Sequence, residues 1–353
     1  MQPSAVDSIS PAFQHTKAQL FRPFSFGQWT RMALVGLLAG EMSSGGGCNF
    51  HVPNMNTGGH RDLGFAAFPN SAALGLLIAV LLVVLPILWI LFIYVSSHMR
   101  FVLFDSVIEK RCQVRRMWQA RRGPALQYFV WQIVFSLVTL AGIAVLVGIP
   151  ALAAFLLGWF SNPREHLLPL VLGGVFVFFV FAAWVLLSLV VHVFTKDFVV
   201  PLMALDKVSA FDGWRRLWTM LQADKGGYAG YAGMKLVMAI GAAFAMGVLA
   251  IILIIILLIP IGGLGAIGVI AGQAAGLTWN VFTITMAVVA GCVFLLVFLY
   301  ALSLVSVPII VFFPAYAIYF FASRYPQLGN IIHPAPPPTP SAPPIFPAPQ
   351  PAG

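Results

Sequence analysis

Charge is scarce in this chain. Of its 353 residues, 8% are Asp, Glu, Lys or Arg, against about 25% in a typical soluble domain. Ten acidic and 19 basic side chains cannot solvate a globule of this size when 60% of the residues are hydrophobic. A soluble enzyme, a nucleic-acid-binding domain and a disordered chain are excluded on that ground. Cysteine is also rare. Cys48, Cys112 and Cys292 fall in a glycine-rich segment, a basic segment and an apolar run, so no disulfide framework follows. The first 26 residues lack the apolar core of a cleavable secretory leader, and the first membrane helix is expected to direct insertion.

Catalytic motifs are missing too. There is no Ser-His-Asp order, no H-E-x-x-H and no Walker sequence. The acids Asp105, Glu109, Asp197, Asp206, Asp212 and Asp224 lie in segments rich in Arg and Lys, where ion pairing or helix capping accounts for them. Cys48, His51 and His60 suit zinc or copper by chemistry, but no fourth ligand has a fixed spacing. Gly263, Gly265 and Gly268 satisfy G-x-G-x-x-G without a preceding strand or a following acid; Gly268, Gly272 and Gly276, every fourth residue, suit close helix packing or a short re-entrant turn between the last two spans. No catalytic residue, cofactor or metal is expected. From Leu236 to Ser323 there is no Asp, Glu, Lys, Arg or His, which argues against an ion-coupled pump. Glu41 and His192, at the ends of apolar runs, are expected at the membrane interface, and Gln132, Gln273 and Asn280 between helices.

What the chain has in abundance is long apolar runs. A window of some 20 residues, enough to cross about 30 Å of hydrocarbon, marks spans near 72–95, 128–160, 167–194, 236–259 and 281–305, with a weaker one near 27–42. Six crossings with an internal N-terminus put 17 of the 19 basic residues on one side and leave only Arg61 and Arg164 opposite. The positive-inside bias therefore predicts both termini in the cytoplasm. The expected fold is an all-α integral membrane bundle of about six transmembrane helices in three hairpins: residues 1–26 form a cytoplasmic segment, 27–323 the membrane domain and 324–353 a tail. That tail is dense in proline and free of acids, favours polyproline II and cannot pack a core. It is expected to be a disordered spacer, or else a docking segment for a protein partner.

A weak repeat underlies the hydropathy. MRFVLFDSVIEKRCQVRRMW follows the second span and KDFVVPLMALDKVSAFDGWRRLW the fourth. Each carries an aspartate, Asp105 or Asp206, and then Arg-Arg-x-Trp: Arg115, Arg116 and Trp118, or Arg215, Arg216 and Trp218. VPIIVFFPAYAIYFFASRY after the last span reads as a third copy stripped of charge. In the second copy Phe211, Trp214, Leu217, Trp218 and Leu221 recur at helical spacing, which predicts an amphipathic helix in the cytoplasmic interface. Paired guanidinium groups suit phosphate and tryptophan prefers the headgroup layer, so these six Arg and Trp residues are the candidate contacts for anionic lipid headgroups.

Together with RPFSFGQW, the GGGCNF segment and YVSSHMRFVLFDSV, these motifs resemble an uncharacterised bacterial family of multi-pass membrane proteins with a glycine-rich first loop. The likeness covers roughly residues 21–240. The organisation is more distantly similar to the membrane domain fused to some glycerophosphodiester phosphodiesterases, without their catalytic domain. The resemblance implies a bacterial inner membrane and transfers no activity. The expected function is non-enzymatic: organising anionic lipid or a protein partner at the cytoplasmic face, with no nucleic acid involved. A transporter of a lipid or other small substrate is the alternative and a membrane-embedded enzyme the third reading.

Overall fold

The computed structural model describes residues 4–41, 71–159, 166–274 and 281–332. Regular structure among these residues is entirely helical. Two short helices, α1 (Ile9–Phe21) and α2 (Phe26–Leu38), open the chain. The long α3 (Ser71–Ile108) leads through the short α4 (Val114–Ala120) to α5 (Arg122–Ile143), which a π turn at Ala144–Gly148 joins to α6 (Ile149–Leu156). Helix α7 (Leu167–Phe194) passes through a second π turn, Thr195–Val199, into α8 (Val200–Asp206). An amphipathic helix, α9 (Ala210–Ala223), then precedes α10 (Lys225–Ala274), α11 (Val281–Ala322) and the short α12 (Pro326–Ile332).

Five segments are long and apolar enough to cross a membrane: Leu82–Ile108, Arg122–Leu156, Leu167–Asp206, Lys225–Leu257 and Val288–Ala322. Their outer parts present apolar side chains outward. Leu82, Phe155, Phe176 and Phe244 are each more than two-thirds exposed, a surface suited to lipid and costly in water. Neighbouring spans run antiparallel. Ser97 bonds Gln132 while Asp105 pairs with Arg121, which fixes the register of α3 on α5. Trp184 donates its indole N–H to the Thr139 carbonyl, and His192 stacks near Phe135, which does the same for α7 on α5.

The core lies at one end of these helices. Phe101, Leu103, Phe198, Leu202, Tyr231 and Phe320, none more than 1% exposed, converge there from α3, the α7–α8 segment, α10 and α11. Every span is longer than its apolar window because its end at this core continues as helix: α3 runs to Ile108, α8 to Asp206 and α11 to Ala322, while α10 starts at Lys225. A hydropathy window stops at Arg100 or Lys196, whereas the helix continues because those charges find partners inside the core.

The repeat has a structural counterpart. After α3 and again after α8 a lysine takes the left-handed conformation, Lys110 at φ 56° and Lys207 at φ 54°. That turn ends one helix and redirects the chain into a short one. A third long helix, α11, is likewise followed by a short one, α12. The ion pairs differ between copies: Asp105 pairs with Arg121 but Asp206 with Arg216. In α9 the Ser209 hydroxyl caps the Asp212 N–H, and the apolar stripe expected there divides. Leu217 is buried and Trp214 half-buried against Trp131, whereas Phe211 and Trp218 face outward.

The first apolar stretch differs from the span expected over 27–42. Helix α2 has 13 residues, about 20 Å at 1.5 Å per residue, and buries Met32, Ala33, Val35 and Gly36 against α3 and α11. A Cβ at Gly36 would come within 2.4 Å of the Ile310 side chain, so a larger residue there requires that side chain to shift. Trp29 donates to the Leu304 carbonyl and Gln28 to that of Lys110. Glu41 does not stand at the far end from the basic residues; it contacts Arg100 and Lys196. The glycine-rich segment with Cys48, His51 and His60, and the Pro-rich tail, lie outside the described residues.

Candidate functional site

Helix α4 is seven residues long and held by one face. Met117 is buried against the Ser106 hydroxyl, and Trp118 stacks on His98 at 4.3 Å between ring centroids. Arg115 and Arg116 are thereby left exposed on the other face. Helix α2 then brings Arg31 to the same place, because Gln28, one turn earlier, is tied to the Lys110 carbonyl at 3.0 Å. Arg31, Gln113, Val114, Arg115, Arg116 and Gln119 line an open groove of about 580 Å³. Glu109 approaches Arg116 to 4.0 Å, with both side chains exposed, a geometry that holds neither firmly. Nearby Cys112 is buried, and burial pushes its thiol up, so the groove gains no reactive thiolate from it.

Of the six residues singled out from sequence, Arg115 and Arg116 thus line a groove, and Arg31 joins them unforeseen. Trp118 anchors the helix beneath. Arg215, Arg216 and Trp218 are exposed on α9, a separate helix docked on α5 through Trp131. Asp206 engages Arg216. The two arginine pairs thus sit on separate helices, α4 and α9.

A second constellation lies in the core. Arg100 of α3 and Lys196 of the π turn both bond the Glu41 carboxylate, and Arg100 also donates to the Ala39 carbonyl. The next residue, Asp197, accepts from Lys235 of α10 and, at 2.9 Å, from the Tyr231 hydroxyl. The π turn widens the helix by one residue and sends consecutive side chains to two different partners. All five charged groups are at most 8% exposed. Beside them is a cavity of about 30 Å³, lined by Glu41, Arg100, Lys196 and Asp197 together with apolar residues that include Leu103, Phe104, Pro314, Ala317 and Ile318. The sequence placed Arg100, Lys196 and Lys235 among the cytoplasmic charges that orient the chain, and left Asp197 to ion pairing or helix capping. The available signal was their flanks: RFVLF, KDFVV and MKLVM are apolar around each charge. Gln132 is engaged with Ser97 and does not line this cavity. No group of three or more His, Cys, Asp or Glu among the described residues is placed to hold a metal.

No curated protein and no solved structure matches the chain. One family model does, over residues 3–331; its description is a family of unknown function, DUF7544.

Proposed function

We propose, for a chain that belongs to the DUF7544 family of unknown function, that it is a multi-pass inner-membrane protein that binds anionic lipid at its cytoplasmic face and catalyses no reaction. One observation carries this reading: Arg31 arrives from α2 beside Arg115 and Arg116 of α4 around a single open groove. Three guanidinium groups with two flanking glutamines match a phosphate diester, whose oxygens take forked N–H donors. Exposed Trp218, Arg215 and Arg216 on α9 give the same face a second interfacial anchor. A transporter would need a continuous polar path, whereas the charged cavity in the core is small and most of its lining residues are apolar. A protein partner would fall to the Pro-rich tail, outside the described residues.

The test replaces Arg31, Arg115 and Arg116 together by Gln and titrates the purified protein with phosphatidylglycerol, followed by native mass spectrometry. Each basic residue near an anionic surface is worth about 1 kcal/mol, so phosphatidylglycerol affinity should fall roughly tenfold or more while phosphatidylethanolamine binding stays constant. Unchanged phosphatidylglycerol binding by a correctly inserted triple variant would refute the assignment.

A further inference from the structure

The turn that joins α1 to α2 reads Phe21-Arg22-Pro23-Phe24-Ser25-Phe26. All three phenylalanines are more than half exposed, a costly arrangement in water. They make one patch. Phe21 and Phe24 both lie against Trp29, at 5.5 and 5.6 Å between ring centroids, and Phe26 follows at the start of α2. Two bonds place this patch. Trp29 donates to the Leu304 carbonyl, at the inner end of the span expected over 281–305. His15 meets Tyr319, about 22 Å further along the same helix at 1.5 Å per residue, so α1 leads the chain from the core back toward that span. The surroundings are basic. No acid occurs between Ser8 and Gly40, whereas Lys17, Arg22 and Arg31 are exposed there, and the Gln28 bond brings in Lys110. Glu109 approaches Arg116 instead. Rings beside a membrane span, ringed by cations, match a surface that is anionic outside and apolar beneath.

We propose that this aromatic turn inserts into the cytoplasmic leaflet of the bilayer. Phe21, Phe24 and Phe26 lie at the boundary of headgroups and acyl chains, about 5–10 Å deep as interfacial elements do, with Arg22, Lys17 and Lys110 at the level of the phosphates. The patch is thus covered by lipid. Residues 1–26 are then not a solvated segment, because their last turn anchors α1 and α2 to the membrane. The assignment stands apart from headgroup binding by Arg31, Arg115 and Arg116.

Phe24→Cys and Phe26→Cys, each alone in a full chain without native cysteines, are labelled with an environment-sensitive dye and placed in nanodiscs. Two positions keep the test decisive should one variant fail to fold. Ser10→Cys, exposed near the start of α1, is the reference. Labels in the turn should emit to the blue of the reference, lose most of their fluorescence to a lipid carrying a shallow doxyl group, and keep it in iodide; the reference should do the reverse. The result should hold in phosphatidylcholine alone, whereas groove binding needs phosphatidylglycerol, so the two readings fail separately. Iodide quenching in the turn would mean that water covers it. Shielding from both quenchers would mean that protein does, from a second copy or elsewhere in the chain. Either outcome overturns the proposal.

Discussion

At the scale of single residues, the sign of a substitution depends on what stands beside the backbone. Gly142 and Gly148 both lie on the continuous helix from α5 to α6, where alanine would ordinarily add about 0.5–1 kcal/mol by lowering the entropy of the unfolded chain. A Cβ at Gly148 would meet nothing within 4 Å, whereas one at Gly142 would come within 2.3 Å of the Trp184 ring. That ring is held by its bond to the Thr139 carbonyl at 3.3 Å and cannot easily yield. Gly142→Ala should therefore destabilise the α5–α7 contact by about 1–3 kcal/mol, the usual cost of overpacking. Gly148→Ala should be neutral or stabilising, and thermal unfolding in detergent compares the two. A similar locality governs Arg324. Its guanidinium lies 3.9 Å above the Phe320 ring and bonds Asp224, and the Gly227 N–H together with Arg324 holds that carboxyl below the usual carboxylate range.

At the scale of elements, α1 is a cover. His15 places one ring nitrogen 2.8 Å from the Val107 carbonyl and the other 3.2 Å from the Tyr319 hydroxyl, so a single imidazole joins α1 to α3 and α11. Burial, with Lys110 adding to it, lowers the His15 pKa below its ordinary 6.5. The undocked helix therefore takes up a proton more readily than the docked one. Docking is fully supported above about pH 6.5 and weakens as pH falls through the lowered value. A nitroxide at Phe13→Cys, with the native cysteines replaced, should report rising α1 mobility between pH 7.5 and 5. His15→Gln should flatten that profile, and a flat profile in the parent would show that the ring plays no such part. Elements were also what the sequence revealed best. Apolar runs located the five long helices, and the helical spacing of Phe211, Trp214, Leu217, Trp218 and Leu221 announced α9. Arg115 and Arg116 were legible because they adjoin in sequence. Arg31 was not, since nothing local links it to a residue more than 80 positions later. The core charges escaped for the same reason. A hydropathy window penalises Arg100, Lys196 and Lys235 one at a time and cannot register that Glu41 lies 59 residues from the first and 155 from the second.

At the scale of the whole molecule, the distribution of basic residues and the antiparallel packing of the spans agree. Asp105, Arg121, Ala204, Asp206 and Tyr325 are joined at one end of the bundle by hydrogen bonds, and the charged segments leave from that end. Cysteines introduced at Gln119 and at Gly158 flank the Arg122–Leu156 segment. In a background without native cysteines, an impermeant maleimide should reach Gly158→Cys from outside intact cells and Gln119→Cys only after permeabilisation. Equal labelling of both would mean that this helix does not cross. The pairing of His15 with Tyr319, 304 residues apart, carries a further consequence for biosynthesis. At the usual 5–20 residues per second, about 15 to 60 s separate the making of α1 from the making of its partner. The first-born helices must wait for the last to complete their packing, so a ribosome stalled anywhere before α11 would leave α1 and α2 with only their contacts to α3.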